Sequence, residues 1–288
     1  MLFGIAKLGY NLICIVSEVS NKKKLSALDK SQAKGHMGMP SPQIYEVVRR
    51  EGLEELARPM SSLFWSGIAA GMVLSLSIYC KAFLHGHLAG NPLQTVLSNG
   101  GYAVGFIIVI LGRLQLFTEN TISVVLPVLG DRTARNLKCT ARLWLVVFTA
   151  NMLGAWLSAY FAYHGAILPE SQVAAALEIS HHLLEYSTTQ TLLYGIPAGF
   201  MVASIVWVLP SAKGNEFWVI FLVTYMIALG GLTHVVAGAT EWCLLALNGE
   251  LDWLDAVFKC ILPALLGNII GGTGLFALIS YAQVKDEI

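Results

Sequence analysis

The chain has 288 residues, 56% of them hydrophobic and 12% charged, with 18 Lys and Arg balanced by 18 Asp and Glu. Its mean hydropathy of +0.64 exceeds what a soluble domain of this length carries and predicts an all-α protein that crosses the lipid bilayer several times. A net charge of zero leaves no basic excess for a phosphate-binding surface, which excludes nucleic acid as a partner.

The first residues, MLFGIAKLGYNLICI, hold an apolar stretch too short to span and no small-residue cleavage site, so no removable signal peptide is expected. Residues 1–41 read as a polar, mobile cytoplasmic lead-in. In 42–59, Ile44, Val47, Val48, Leu53 and Leu56 recur at helical spacing between charges. That pattern predicts an amphipathic cytoplasmic helix, lying on the membrane surface or packed against protein.

Six apolar runs then reach the length of about 20 residues that a helix needs to cross hydrocarbon, near 62–84, 101–129, 142–163, 191–210, 217–247 and 258–282. The second and fifth exceed one straight crossing and are expected to contain a break. The transport domain is therefore 60–284, followed by a tail of 285–288. Lys and Arg are absent from the 85–100 and 164–190 connections, whereas Arg132, Arg135 and Lys138 fill the next connection and Lys22, Lys23, Lys24, Arg49, Arg50 and Arg58 precede the first span. This bias places both termini in the cytoplasm of a cell-membrane protein.

Cys14, Cys80, Cys139, Cys243 and Cys260 form no CxxC pair, and His85, His87, His181 and His182 no HExxH, so neither a disulfide framework, a metal site nor a cofactor is expected. The four histidines read as solvated loop residues.

The two halves resemble one another. Gly67-Ile-Ala-Ala-Gly71 pairs with Gly195-Ile-Pro-Ala-Gly199, Gly112-Arg113-Leu114 with Gly230-Gly231-Leu232, and Asn151-Met-Leu-Gly154 with Asn268-Ile-Ile-Gly271. Repeat one covers about 60–165 and repeat two about 188–284. A unit of three crossings is odd, so two copies in tandem form an inverted repeat with its site at the membrane midplane, where the broken helices meet.

Those breaks hold GRLQLFTENT and GGLTHVVAGATE. His234 is the leading functional residue, because imidazole exchanges a proton near neutral pH. Thr118 offers a hydroxyl at the corresponding break, either lining the path or capping the helix. Glu119 caps the second half-helix or contacts substrate, Arg113 pairs with Glu119 or steers anions, and Glu241 pairs across a helix or subunit interface. Lys81, near the outer end of the first span, snorkels toward water.

At LFTENT, THVVAG and GNIIGG the chain resembles the formate/nitrite transporter family over roughly 42–284, and GRLQLFTENT resembles its YfdC-like branch. The resemblance implies an aquaporin-like six-helix protomer in a homopentamer. Each protomer would carry one path for small monovalent weak-acid anions such as formate, nitrite, hydrosulfide or a short carboxylate, with protons as possible co-substrates. It implies His234 as the central histidine, Leu116, Phe117 and Thr118 as a mobile loop, and apolar constrictions at Ile78 and Leu116 on one side and Ile227 on the other. Thr233 stands where formate and nitrite members commonly carry Glu or Asn, and Thr233 and Asn268 join the expected path. The alternative is an aquaporin-like pore for water or small neutral solutes, although paired NPA motifs are absent. No nucleophile-base spacing supports an enzyme.

Overall fold

The computed structural model describes residues 38–165 and 167–288, so the lead-in expected for 1–41 lies outside the described residues except at 38–41. Every regular element among the described residues is helical.

Helix α1, Ser41–Ala57, buries Tyr45, Val48, Gly52 and Leu56. A side chain at Gly52 would collide with the Ser123 carbonyl and approach Pro127, so the apolar side of α1 is seated on protein. The remaining helices are α2 (Met60–His87), α3 (Gln94–Leu111), α4 (Phe117–Ser123), α5 (Val125–Gly130), α6 (Ala134–Tyr163), α7 (Glu170–Ser180), α8 (Thr188–Val208), α9 (Glu216–Leu229), α10 (Val235–Leu247) and α11 (Trp253–Val284).

Among the described residues, α2, α3, α6, α8 and α11 are long and apolar enough to cross a bilayer. The run expected to cross at 217–247 is divided between α9 and α10, of 14 and 13 residues, separated by Gly230-Gly231-Leu232-Thr233-His234. The run expected at 101–129 begins earlier, at Gln94, stops at Leu111 and resumes at Phe117. α6 starts at Ala134, well before the apolar run at 142, because Thr133 caps its first turn by accepting from the Asn136 N–H at 3.2 Å.

The 164–190 connection is more structured than a loop. α7 buries Val173, Ala176 and Ile179, and a 3₁₀ turn, His181–Glu185, follows it. Eleven residues are too few to register as a crossing, and burial of this short face supplies the order.

Two tight helix pairs frame the centre. α2 lies against α6 and α8 against α11, and in both pairs glycine removes the spacing a side chain would impose. Gly71 faces the Asn151 backbone and Gly154 the Ile68 carbonyl, while Gly199 faces the Asn268 backbone and Gly271 the Ile196 carbonyl.

Candidate functional site

Both interruptions end their first helix in the same way. Arg113 and Gly231 adopt left-handed φ values of 52° and 60°. The following N–H groups then turn back, Leu114 donating to the Val109 carbonyl at 3.0 Å and Leu232 to the Ile227 carbonyl at 3.1 Å. This is the glycine-type helix stop, which costs about 1 kcal/mol where a side chain occupies it.

The extended residues that follow leave backbone groups that hydrocarbon cannot satisfy. Two asparagines satisfy them. Asn151 Nδ2 donates to the carbonyls of Gln115 and Gly67, both at 2.8 Å, and its Oδ1 accepts from the Phe117 N–H at 2.9 Å. Asn268 Nδ2 donates to the carbonyls of Thr233 and Gly195, both at 2.9 Å, and its Oδ1 accepts from the Val235 N–H at 2.9 Å. Each side chain thus clamps one break to the adjacent glycine-bearing helix.

The two restarting helices bring Thr118 and His234 together. His234 Nε2 lies 2.8 Å from Thr118 Oγ1, and His234 Nδ1 accepts from the Ala237 N–H at 3.2 Å. Since Nδ1 must present its lone pair to that N–H, the neutral ring carries its proton on Nε2 and donates to the threonine. The hydroxyl proton of Thr118 remains available to a further acceptor. Both residues are buried, and Phe106 sets the edge of the aromatic wall with its ring 4.9 Å from the imidazole at 75°.

The other expected path residues lie around this contact. Leu116, Phe117, Ile78 and Ile227 are buried in one apolar cluster with Phe106. Thr233 is buried and donates to the Thr191 carbonyl at 2.6 Å, which ties the second break to α8. A pocket reaches His234 and is also lined by Lys81, Tyr102, His182, Glu241 and Trp242. Lys81, partly buried near the outer end of α2, lines this pocket together with Glu241.

Arg113 pairs with Glu51 of α1 at 2.9 Å and is exposed, which takes it away from Glu119. Glu119 occupies the first turn of α4, where a carboxylate opposes the helix dipole favourably. Gln115 donates to Glu55 of α1, and Asn120 donates to Gln115 at 3.2 Å, so α1 is tied to the first break by polar contacts.

The four histidines read as solvated loop residues are not simply solvated: His85 and His87 belong to the last turn of α2, where exposed His87 bonds the Phe83 carbonyl at 2.7 Å. His85 contacts Glu178 at 3.2 Å, His181 contacts Glu250 at 2.7 Å, and His182 bonds the Ile179 carbonyl at 2.7 Å. Tyr102 and Trp242 line this pocket yet escaped the sequence reading, which also took His182 for a solvated loop residue, because an aromatic in an apolar run, or a histidine in a connection, carries no local sign of facing a pocket.

A family model described as Formate/nitrite transporter matches residues 42–282. The chain is 40% identical over 245 residues to Inner membrane protein YfdC of Escherichia coli (strain K12), covering 85% of this chain and 79% of that protein. It is 24% identical over 253 residues to Formate channel BtFdhC of Bacillus thuringiensis, covering 85% of this chain and 95% of that one. Among solved structures, a pentameric formate channel with formate bound superposes with a TM-score of 0.67 at 21% identity, covering 78% of this chain and 97% of that one. An FNT family ion channel superposes with a TM-score of 0.69 at 18% identity, covering 84% and 98% respectively. Both superpositions show the polytopic helical fold.

Proposed function

Because this chain belongs to the formate/nitrite transporter family, we propose that it moves a small monovalent weak-acid anion of the formate or nitrite type across the cell membrane, passively or with a proton. The observation that carries this reading is the 2.8 Å contact between His234 and Thr118, where two interrupted helices meet inside the apolar core.

A bare anion in hydrocarbon is very costly, whereas the neutral acid is not. The imidazole N–H and the threonine hydroxyl supply donors at the point of greatest cost, and Phe106, Ile78, Leu116 and Ile227 strip water on either side. His234 lends a proton or a donated hydrogen bond as the anion passes and regains its bond to Thr118 afterwards. The matched breaks, clamped by Asn151 and Asn268, support reading the protomer as an inverted repeat. Five protomers, each with its own path, and cytoplasmic termini complete the proposal. The pentamer draws on the formate channel to which the fold is similar, and the orientation on the basic connections.

The family match does not favour the neutral-solute pore. Flux assays in proteoliposomes offering formate, nitrite, hydrosulfide, acetate and chloride test the proposal: selective passage of weak-acid anions supports it, and passage of neutral solutes alone overturns it.

A further inference from the structure

Glu241 is 6% exposed, lines the pocket that reaches His234, and accepts no hydrogen bond among the described residues. Lys81 lines the same pocket without forming an ion pair with it. A buried carboxylate is costly unless something compensates it, and here the compensation is the nearby ammonium rather than a fixed hydrogen bond.

The placement is built by the fold. Ser75 Oγ of α2 lies 2.8 Å from Thr240 Oγ1 of α10, which holds the backbone next to Glu241 against α2. Lys81 begins about 9 Å further along α2, and helical side chains lean toward the amino terminus, so its ammonium returns toward the level of Glu241. The other titratable groups near Glu241 are Tyr102 from α3, His182 and Tyr186 from the connection before α8, and His234 at the start of α10. On the remaining elements packed against α10, Glu178 of α7 is taken by His85, Tyr163 of α6 donates to Asn248, and Lys259 of α11 is taken by Asp255 at 2.8 Å. His182, outside the membrane-spanning helices, is held below the usual imidazole range by its burial and by the charge of Lys81, so it faces the pocket as a neutral group.

Resting on the transport reading above, we propose that Lys81 and Glu241 form a loading station beside His234 that takes up one proton and one weak-acid anion together. With Glu241 ionised, it neutralises Lys81 and the pocket carries no net charge. When a proton from water adds to the Glu241 carboxylate, the ammonium is left uncompensated and admits one anion. The pocket is neutral both empty and loaded: the anion takes the proton from Glu241 and moves on to His234 as the neutral acid, which regenerates the Glu241 and Lys81 charges, and the acid returns its proton to water on release.

The experiment measures formate uptake into proteoliposomes between pH 6 and 9, with and without a potassium diffusion potential set by valinomycin, for the wild-type protein, Glu241→Gln and Lys81→Met. Wild-type uptake is expected to fall as pH rises, approaching about tenfold per pH unit at the alkaline end of the range, and to ignore the potential. Glu241→Gln holds the station in its anion-accepting charge state, so its uptake varies less than about twofold across the range, exceeds wild type at pH 9 and responds to the potential. Lys81→Met removes the attraction and lowers uptake about tenfold or more at every pH. These opposite signs separate a charge-loading role from a structural one, which would make both variants poorer in the same way. A Glu241→Gln variant with the wild-type profile overturns the inference while leaving the transport reading intact, and wild-type vesicles that pass no formate overturn the transport reading itself. Should Glu241→Gln fail to assemble, potential-driven uptake by the wild type or unimpaired uptake by Lys81→Met overturns the inference independently.

Discussion

His234 Nε2 sits 2.8 Å from Thr118 Oγ1, so the two interrupted helices exchange one hydrogen bond at the centre of the protein. The imidazole N–H is buried, and removing its partner leaves it unsatisfied at a cost of about 1–3 kcal/mol. Thr118→Val is expected to lower the thermal unfolding midpoint in detergent and to reduce anion flux by at least about tenfold, while Thr118→Ser keeps the hydroxyl and most of the flux. Equal behaviour of the valine and serine variants would remove the hydroxyl from the account.

The asparagine clamps predict matched losses. Asn151→Ala and Asn268→Ala each delete three buried hydrogen bonds to a break and the helix beside it. Each substitution is expected to destabilise by about 3 kcal/mol, measured as loss of monodisperse protein after mild heating. A variant that stays monodisperse to the wild-type temperature contradicts the clamp.

The left-handed stops predict an asymmetry between the halves. Gly231→Ala places a side chain at φ 60° against the Tyr186 hydroxyl, which donates to the Gly231 carbonyl at 3.2 Å. A loss of about 1–2 kcal/mol is expected. Arg113→Gly removes the equivalent strain at φ 52° and gives up an exposed ion pair with Glu51, so its net effect is within about 0.5 kcal/mol. Calorimetry of the two variants in one detergent compares them directly.

Much of this centre is legible in the sequence, because a histidine, a threonine and asparagines in apolar runs stand out and breaks in matching positions locate them. His234, Thr118, Asn151 and Asn268 are readable for that reason. The pairings are not: Arg113 meets Glu51 across 62 residues, and Lys81 meets the Glu241 pocket from the opposite half of the chain. α7 was hidden because its buried face is too short to give a crossing signal, and although the break within 217–247 is expected from its length, the left-handed φ at Gly231 that ends α9 is not encoded in the hydropathy pattern.

Acid is expected to loosen α1. Hydrogen bonds from Arg49, at 2.8 and 3.0 Å, and from Arg50, at 2.6 Å, hold the Glu46 carboxyl down at about 2 from its usual 4.5. A depressed carboxylate contributes stability above its unfolded value and loses it as pH falls through the folded one, so the contribution is complete above about pH 4.5 and gone near pH 2. Because the group is on the surface, the effect is small. A carbon-detected titration of Glu46 whose midpoint stays at the ordinary carboxylate value contradicts the pairing.

The most direct test of the central claim is the flux of formate and nitrite into proteoliposomes at several pH values, with His234→Phe beside the wild type and glycerol as the neutral control. Wild-type flux is expected to be selective for the two anions over chloride and glycerol, to rise as pH falls, and to drop about tenfold or more in the variant. Glycerol flux without anion flux, or a His234→Phe variant that keeps the wild-type rate and pH profile, contradicts a histidine-centred path for weak-acid anions.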